Sequence, residues 1–172
     1  MAVTVRKVTL WRRHLDNKPG ALARVLEPLA GAGADLRIAM GYRIPGLESR
    51  AVLELAPVTG RAAFAAAREA GLAPSDIPTL VVEGGDAPGV GAAQSRALEE
   101  AGINVAFLVA QVLGGRFSAV YGFDSEKDAE RAGRLLKRAA PARRGAATRK
   151  RTTRKRTARK RTTSARARGR RG

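Results

Sequence analysis

The sequence predicts an α+β fold: two βαββα units, each an antiparallel sheet with both helices on one face, followed by a disordered tail. Three observations predict it. A stretch near the N-terminus recurs 69 residues further on. In each copy, apolar residues alternate with period two, switch to helical spacing and switch back, in the same order. Positive charge collects in the last fifth of the chain.

The repeat sets PGALARVLEPLAGAGADLRI, from Pro19, over PGVGAAQSRALEEAGINVAF, from Pro88, without gaps. Pro19-Gly20 falls on Pro88-Gly89, Leu29 on Leu98, Ala32-Gly33 on Ala101-Gly102, Asp35 on Asn104 and Ile38 on Phe107. A period near 70 residues is too long for a solenoid unit and points to a duplicated small domain.

Each element of the first copy has a local cause. Val3 to Leu15 alternates and is rich in β-branched residues, which predicts one strand. Asp16-Asn17-Lys18 predicts a turn, with Asp16 or Asn17 placed to accept from free helix N–H groups. Pro19 suits a first helical turn. Leu22, Val25, Leu26 and Leu29 then share a helix face. Pro28 lacks the N–H that would bond to Arg24 and should kink or shorten that helix, and Gly31 and Gly33 end it. Leu36, Ile38, Met40 and Tyr42 alternate as a strand, Ile44-Pro45-Gly46 turns, and Ala51, Leu53 and Leu55 form the next strand. An Ala-rich helix over 60–70 stops at Gly71. A short fourth strand fits only in 71–77.

The second copy predicts a strand over 79–84, a helix over 88–101, a strand over 103–112, a hairpin at Gly114-Gly115, a strand over 116–123 and a helix over 125–139. In its first helix Val90, Ala93, Ala97, Leu98 and Ala101 share a face. No fourth strand follows Lys137. Open edges of this kind are a liability, so the two sheets are expected to pair edge to edge or the chain to form a homodimer. The boundaries are 1–76 and 77–138 for the two units and 139–172 for the tail.

Composition excludes most chemistry. The 172 residues contain no Cys and one His, so disulfides, thiolate catalysis and Cys-ligated metal sites cannot be built. His14 reads as a surface or packing residue. Gly84-Gly85 and Gly114-Gly115 do not sit in a phosphate-loop context. The body reads as non-enzymatic, with no cofactor and no metal. No apolar run is long enough to span a membrane, and the alternating N-terminus reads as a strand, not a signal segment. The expected compartment is the cytoplasm.

The segments Leu15-Asp16-Asn17-Lys18-Pro19-Gly20-Ala21-Leu22 and Ala32-Gly33-Ala34-Asp35-Leu36 resemble an ACT domain. Val82 through Pro88-Gly89-Val90, with Ala101-Gly102-Ile103-Asn104-Val105, resembles a second one. Over about residues 3–138 the chain is similar to small stand-alone tandem ACT proteins that carry no attached enzyme. The resemblance implies two ferredoxin-like βαββα(β) units and regulation by a small ligand, usually an amino acid. It implies a ligand wrapped by the loop between first strand and first helix: Asp16, Asn17, Gly20, Ala21 and Leu22 in one copy, Asp86, Gly89 and Val90 in the other. Asp35 and Asn104 open the next strand, where such domains often contact ligand. The chemistry is compatible: glycine lets a backbone approach closely, a helix N-terminus favours a carboxylate, and Asp16 and Asp86 could pair an ammonium. Read from the residues alone, Pro-Gly after Asp is equally a good helix start. The copies also differ, since Leu22 is replaced by Gly91 and the Asp-to-Pro gap shortens by one.

The tail is a separate matter. Residues 138–172 hold 16 Lys and Arg and no acid, whereas residues 1–137 hold 17 against 15 acids. Its centre is one pentapeptide written three times, RKRTT RKRTA RKRTT, from Arg149. With no large apolar residue it cannot offset the entropy of ordering and is expected to be disordered. Arg149, Lys150, Arg151, Arg154, Lys155, Arg156, Arg159, Lys160 and Arg161 suit a phosphate backbone. No aromatic residue interleaves them, so binding should be electrostatic and indifferent to sequence. In composition the tail resembles those of linker-histone-like and bacterial nucleoid-binding proteins. The partner expected is DNA, with RNA the alternative; no apolar anchor favours a membrane.

The sequence thus reads as an amino-acid sensor with a DNA-binding tail. The alternatives are a nucleoid-associated structural protein whose body only dimerises, and a regulatory subunit of an amino-acid-biosynthetic enzyme.

Overall fold

A computed structural model of the chain describes residues 3–139; the expected tail, with every residue assigned to nucleic acid, lies outside the described residues. The elements run β1 (Thr4–Val8), β2 (Trp11–Asp16), α1 (Ala23–Gly31), β3 (Ile38–Ile44), β4 (Leu47–Ala56), α2 (Arg61–Glu69), β5 (Ala73–Pro74), β6 (Thr79–Gly85), α3 (Val90–Glu100), β7 (Phe107–Leu113), β8 (Arg116–Gly122) and α4 (Glu126–Arg138). They form two four-stranded antiparallel sheets, β3-β4-β2-β5 and β1-β6-β8-β7. Each sheet packs a helix pair on one face, α1 with α2 and α3 with α4. The α+β class and the duplicated ferredoxin-like unit are as the sequence predicts.

The N-terminal strand is not. Val3 to Leu15 was expected to be continuous, but it divides at Thr9-Leu10 and serves both sheets. β1 pairs with β6, from Thr4↔Glu83 to Val8↔Thr79, while β2 pairs with β4, from Trp11↔Leu55 to Asp16↔Arg50. The fourth strand of the second unit is therefore β1, and it crosses the boundary at 76/77. Leu10 fixes the crossing: it is fully buried in a small cluster with Met40, Ala56 and Val120, where the two halves meet. The two sheets share no hydrogen-bonded edge, so the expected edge-to-edge pairing within the chain does not form.

Two helix starts also differ. α1 begins at Ala23 and α3 at Val90, after Pro19 and Pro88. The intervening residues form turns through Gly20 (φ +80°) and Gly89 (φ +92°), a left-handed backbone that a Cβ would strain. Neither Asp16 nor Asn17 caps α1, whose first flanking residue is Leu22 with no side-chain cap. Pro28 is accommodated inside α1, which runs nine residues against eleven for α3. α4 is the best-capped helix: the Ser125 hydroxyl accepts from the Asp128 amide at 3.1 Å, with acids in its first turn and Lys137 and Arg138 in its last.

The cores follow the alternation. Trp11, Leu15, Leu53 and Leu55 meet Val25 and Leu29 of α1 and the small Ala63 and Ala67 of α2. Leu80, Val82, Phe117, Ala119 and Tyr121 meet Leu98 of α3 and Ala129, Ala132 and Leu136 of α4. Each unit buries a polar side chain in a pair that is apolar in the other. In the first, Arg12 lies opposite Glu54, where the second has Val81 opposite Val120. In the second, the buried Tyr121 hydroxyl donates to Gln94 Oε1 at 2.8 Å, where the first has Leu55 and Val25. Gln94 therefore faces inward, at a position absent from the face assigned to α3 above.

Candidate functional site

The loop from Asp16 to Leu22 lines a cleft of about 550 Å³ in the first unit. Asp16, Asn17, Gly20, Ala21 and Leu22 all border it, so the structure brings together the five loop residues singled out in this copy. Its opposite wall is Gly41, Tyr42 and Arg43 of β3 with Ala51 and Val52 of β4. The local folding has simple causes. β2 ends where Asp16 pairs with Arg50, and the turn at Gly20 lifts the chain over the sheet before α1 begins. Gly41 carries no side chain where one would project toward Leu22, at 3.6 Å, which keeps the cleft open.

The electrostatics differ from the simple picture of a free carboxylate. Asp16 Oδ1 accepts from Arg50 Nη1 at 2.7 Å, and Lys18 Nζ stands 3.5 Å from Oδ2. An incoming ammonium would share that carboxylate with two cations. Asn17 is used structurally: its side-chain amide donates to the Glu48 carbonyl at 2.9 Å, and its backbone N–H donates to the Ser49 carbonyl. Tyr42 is tied back to the sheet, with its hydroxyl 3.2 Å from Glu54 Oε2. Burial pushes the Tyr42 phenol above its ordinary value, and the Glu54 carboxylate pushes it the same way.

Asp35 does not join this loop. It lines a different cleft, with Arg6, Arg37, Pro57 and Glu83, and its carboxylate lies 3.6 Å from Arg37. In the second unit Asp86 is exposed and its N–H donates to the Gly115 carbonyl, which fastens the loop to the β7–β8 hairpin. Gly89 holds the left-handed turn before α3, Val90 is half-buried against the second core, and Asn104 is exposed. His14 is exposed on β2. Among the described residues no three of His, Asp and Glu gather as a metal site, and no helix is long and apolar enough to cross a membrane.

The wall residues Gly41, Tyr42, Arg43, Ala51 and Val52, and the partner cation Arg50, were not singled out from the sequence. The pairing of Asp16 with Arg50 depends on strand register, and the β3–β4 pairing shifts register at Arg43/Ile44, which the β7–β8 pairing of the second unit does not. A gapless 69-residue overlay places Arg50 on Ala119, whereas the observed pairing gives Gly85↔Arg116 as the counterpart of Asp16↔Arg50.

No family model matches the chain, and no curated protein matches it. Solved structures do. Protein BT0572 from Bacteroides thetaiotaomicron superposes with a TM-score of 0.63 at 16% identity, covering 74% of this chain and 87% of that one. The ligand-free regulatory subunit of aspartate kinase from Thermus thermophilus gives 0.55 at 18% identity, covering 81% of this chain and 97% of that one. The corresponding subunit from Thermus flavus gives 0.54 at 18% identity, with the same coverage. The fold is ACT-like. At these identities the likeness is one of fold, and it spans nearly the whole length of the two regulatory subunits.

Proposed function

We propose that this protein is a non-enzymatic regulator that binds a small ligand, an amino acid in the first instance, in the cleft under the Asp16–Leu22 loop. We further propose that it is held on nucleic acid by its basic tail. The observation that carries the ligand reading is the loop itself. A left-handed glycine turn, Gly20, leads into a helix and faces a strand wall left open by Gly41. Backbone N–H groups at such a helix entry suit a carboxylate, and neighbours of the same fold include regulatory subunits.

The test is calorimetric titration of the full-length chain with the twenty amino acids. At least one should give a saturable signal, and Gly41→Leu should abolish it. That substitution fills the cleft at a position whose new Cβ meets nothing closer than 3.6 Å. A flat response across all twenty would remove amino acids as ligands.

A second reading is supported by β7, an edge strand without a charge, FLVAQVL. Leu108, Val109, Val112 and Leu113 are 46–80% exposed along it. An uncharged apolar edge is a template for pairing, and a body that only pairs would make the protein a structural nucleoid component with two tails per particle.

A further inference from the structure

We propose that a second cleft, behind the same loop, binds a compact oxyanion such as a phosphate ester or a polycarboxylate. This site lies on the other side of the Asp16–Ala21 segment, between β2, α1 and the end of α2, and has a volume of about 650 Å³. The inference goes beyond the amino-acid reading and does not rest on it.

Four basic side chains line the cleft, Arg13, Lys18, Arg24 and Arg50, against two acids, Asp16 and Glu69. Asp16 is already shared by Arg50 and Lys18. Arg13 is held in place: its guanidinium donates to the Ala70 carbonyl and packs where a Cβ on Gly71 would stand, 3.3 Å away. Among the described residues neither Arg13 nor Arg24 has an acidic partner. Like charges gathered without counter-charge repel one another, and guanidinium groups offer paired N–H donors that match phosphate and carboxylate oxygens.

The duplication shows that the fold does not need these cations. At the positions of Arg13, Lys18 and Arg24 the second unit has Val82, Ala87 and Ala93, and it forms the same sheet and helices. The backbone differs too. In the second unit β1 covers the outer edge of β6 over five residues. In the first, β5 covers β2 only at Trp11 and Arg12. From Arg13 to Asp16 the outer edge of β2 carries no strand partner among the described residues, and this stretch borders the cleft. Basic side chains and unpaired backbone are thus brought to one place, in one unit only.

Titration of the isotope-labelled full-length chain with inorganic pyrophosphate, and separately with citrate, followed by amide NMR, tests this. At least one anion should give saturable shifts at Arg13–Lys18 and Arg24, distinct from any response of residues 140–172. Arg24→Gln, an exposed position, should weaken that response about tenfold or more, the loss expected of one charge-assisted contact. Arg116→Gln, on the exposed start of β8, should leave it unchanged. Shifts confined to the tail, or an Arg24→Gln protein that titrates like the parent, would overturn the proposal. A short DNA duplex distinguishes the sources. Displacing pyrophosphate from the same amides would identify the oxyanion as nucleic-acid backbone, and failure to compete would identify it as a free solute. Because Gly41→Leu reports on the other cleft, loss of one site leaves the other readable.

Discussion

Arg12 and Glu54 place an ion pair in the first unit where the second has an apolar pair. Glu54 is fully buried, Arg12 Nε lies 3.7 Å from Glu54 Oε1, and neither of those two atoms has a hydrogen-bond partner. Removing one member of a buried pair strands the other charge. Arg12→Val should therefore lower unfolding free energy by about 3 kcal/mol, the low end of such losses because Arg12 reaches solvent. The double variant Arg12→Val/Glu54→Val copies the Val81–Val120 pair of the other unit and should be neutral or stabilising in urea denaturation. Tyrosines set an alkaline limit. Burial raises Tyr121 above its ordinary value, and burial with the Glu54 charge raises Tyr42. Each stays neutral in the fold where the unfolded chain ionises, so its contribution is complete below about pH 10 and is lost as pH rises through the folded value. The urea midpoint should be flat from pH 8 to 9.5 and fall above about 10. Gly122 is a third residue-scale constraint. A Cβ there would enter the ring of Phe107, its direct partner on β7, so Gly122→Ala should cost about 1–3 kcal/mol by overpacking.

At the scale of elements, most of the fold was legible because each period switch is bracketed by a turn residue. The hairpins at Pro45-Gly46 and Gly114-Gly115, the Ala-rich α2 and the capped α4 stand where alternation, helical spacing and punctuation put them. The break between β1 and β2 was not legible, for a definite reason. Val3 and Val5 point into the second core and Trp11 and Leu15 into the first, so odd-numbered residues face inward on both sides of the break. Alternation continues through a change of sheet without a signal. The loop of the first candidate site could be read because glycine and proline mark it, whereas its wall and its Asp16–Arg50 pairing follow from strand register, which periodicity does not specify. The uncharged β7 edge belongs to this scale as well. If it pairs two copies, Val112→Lys should shift the sedimenting species from dimer to monomer while leaving the circular dichroism unchanged. A dimer that persists would place the contact elsewhere.

For the whole molecule, charge is divided unevenly: the body is near neutrality and the last 35 residues carry 16 cations, and the proposed function divides the same way. Replacing Lys and Arg with Gln across the three repeats, residues 149–163, should remove most duplex affinity while leaving the amino-acid response intact. In the parent chain, affinity should fall by about 10³–10⁵ between 50 and 200 mM salt if 6–10 phosphates are contacted, whatever the DNA sequence. A salt-insensitive, sequence-selective complex would refute the electrostatic reading. The exchange of β1 has a consequence of another kind, in time. On the ribosome the strand that completes the second unit is made first, and its partner Glu83 follows Thr4 by 79 positions. At about 5–20 residues per second, β1 waits roughly 4–16 s with an unfilled edge. During that interval β1 is open to capture by β6 of another chain whose own β1 is not yet seated, so synthesis on crowded polysomes is the condition under which two copies would trade N-terminal strands.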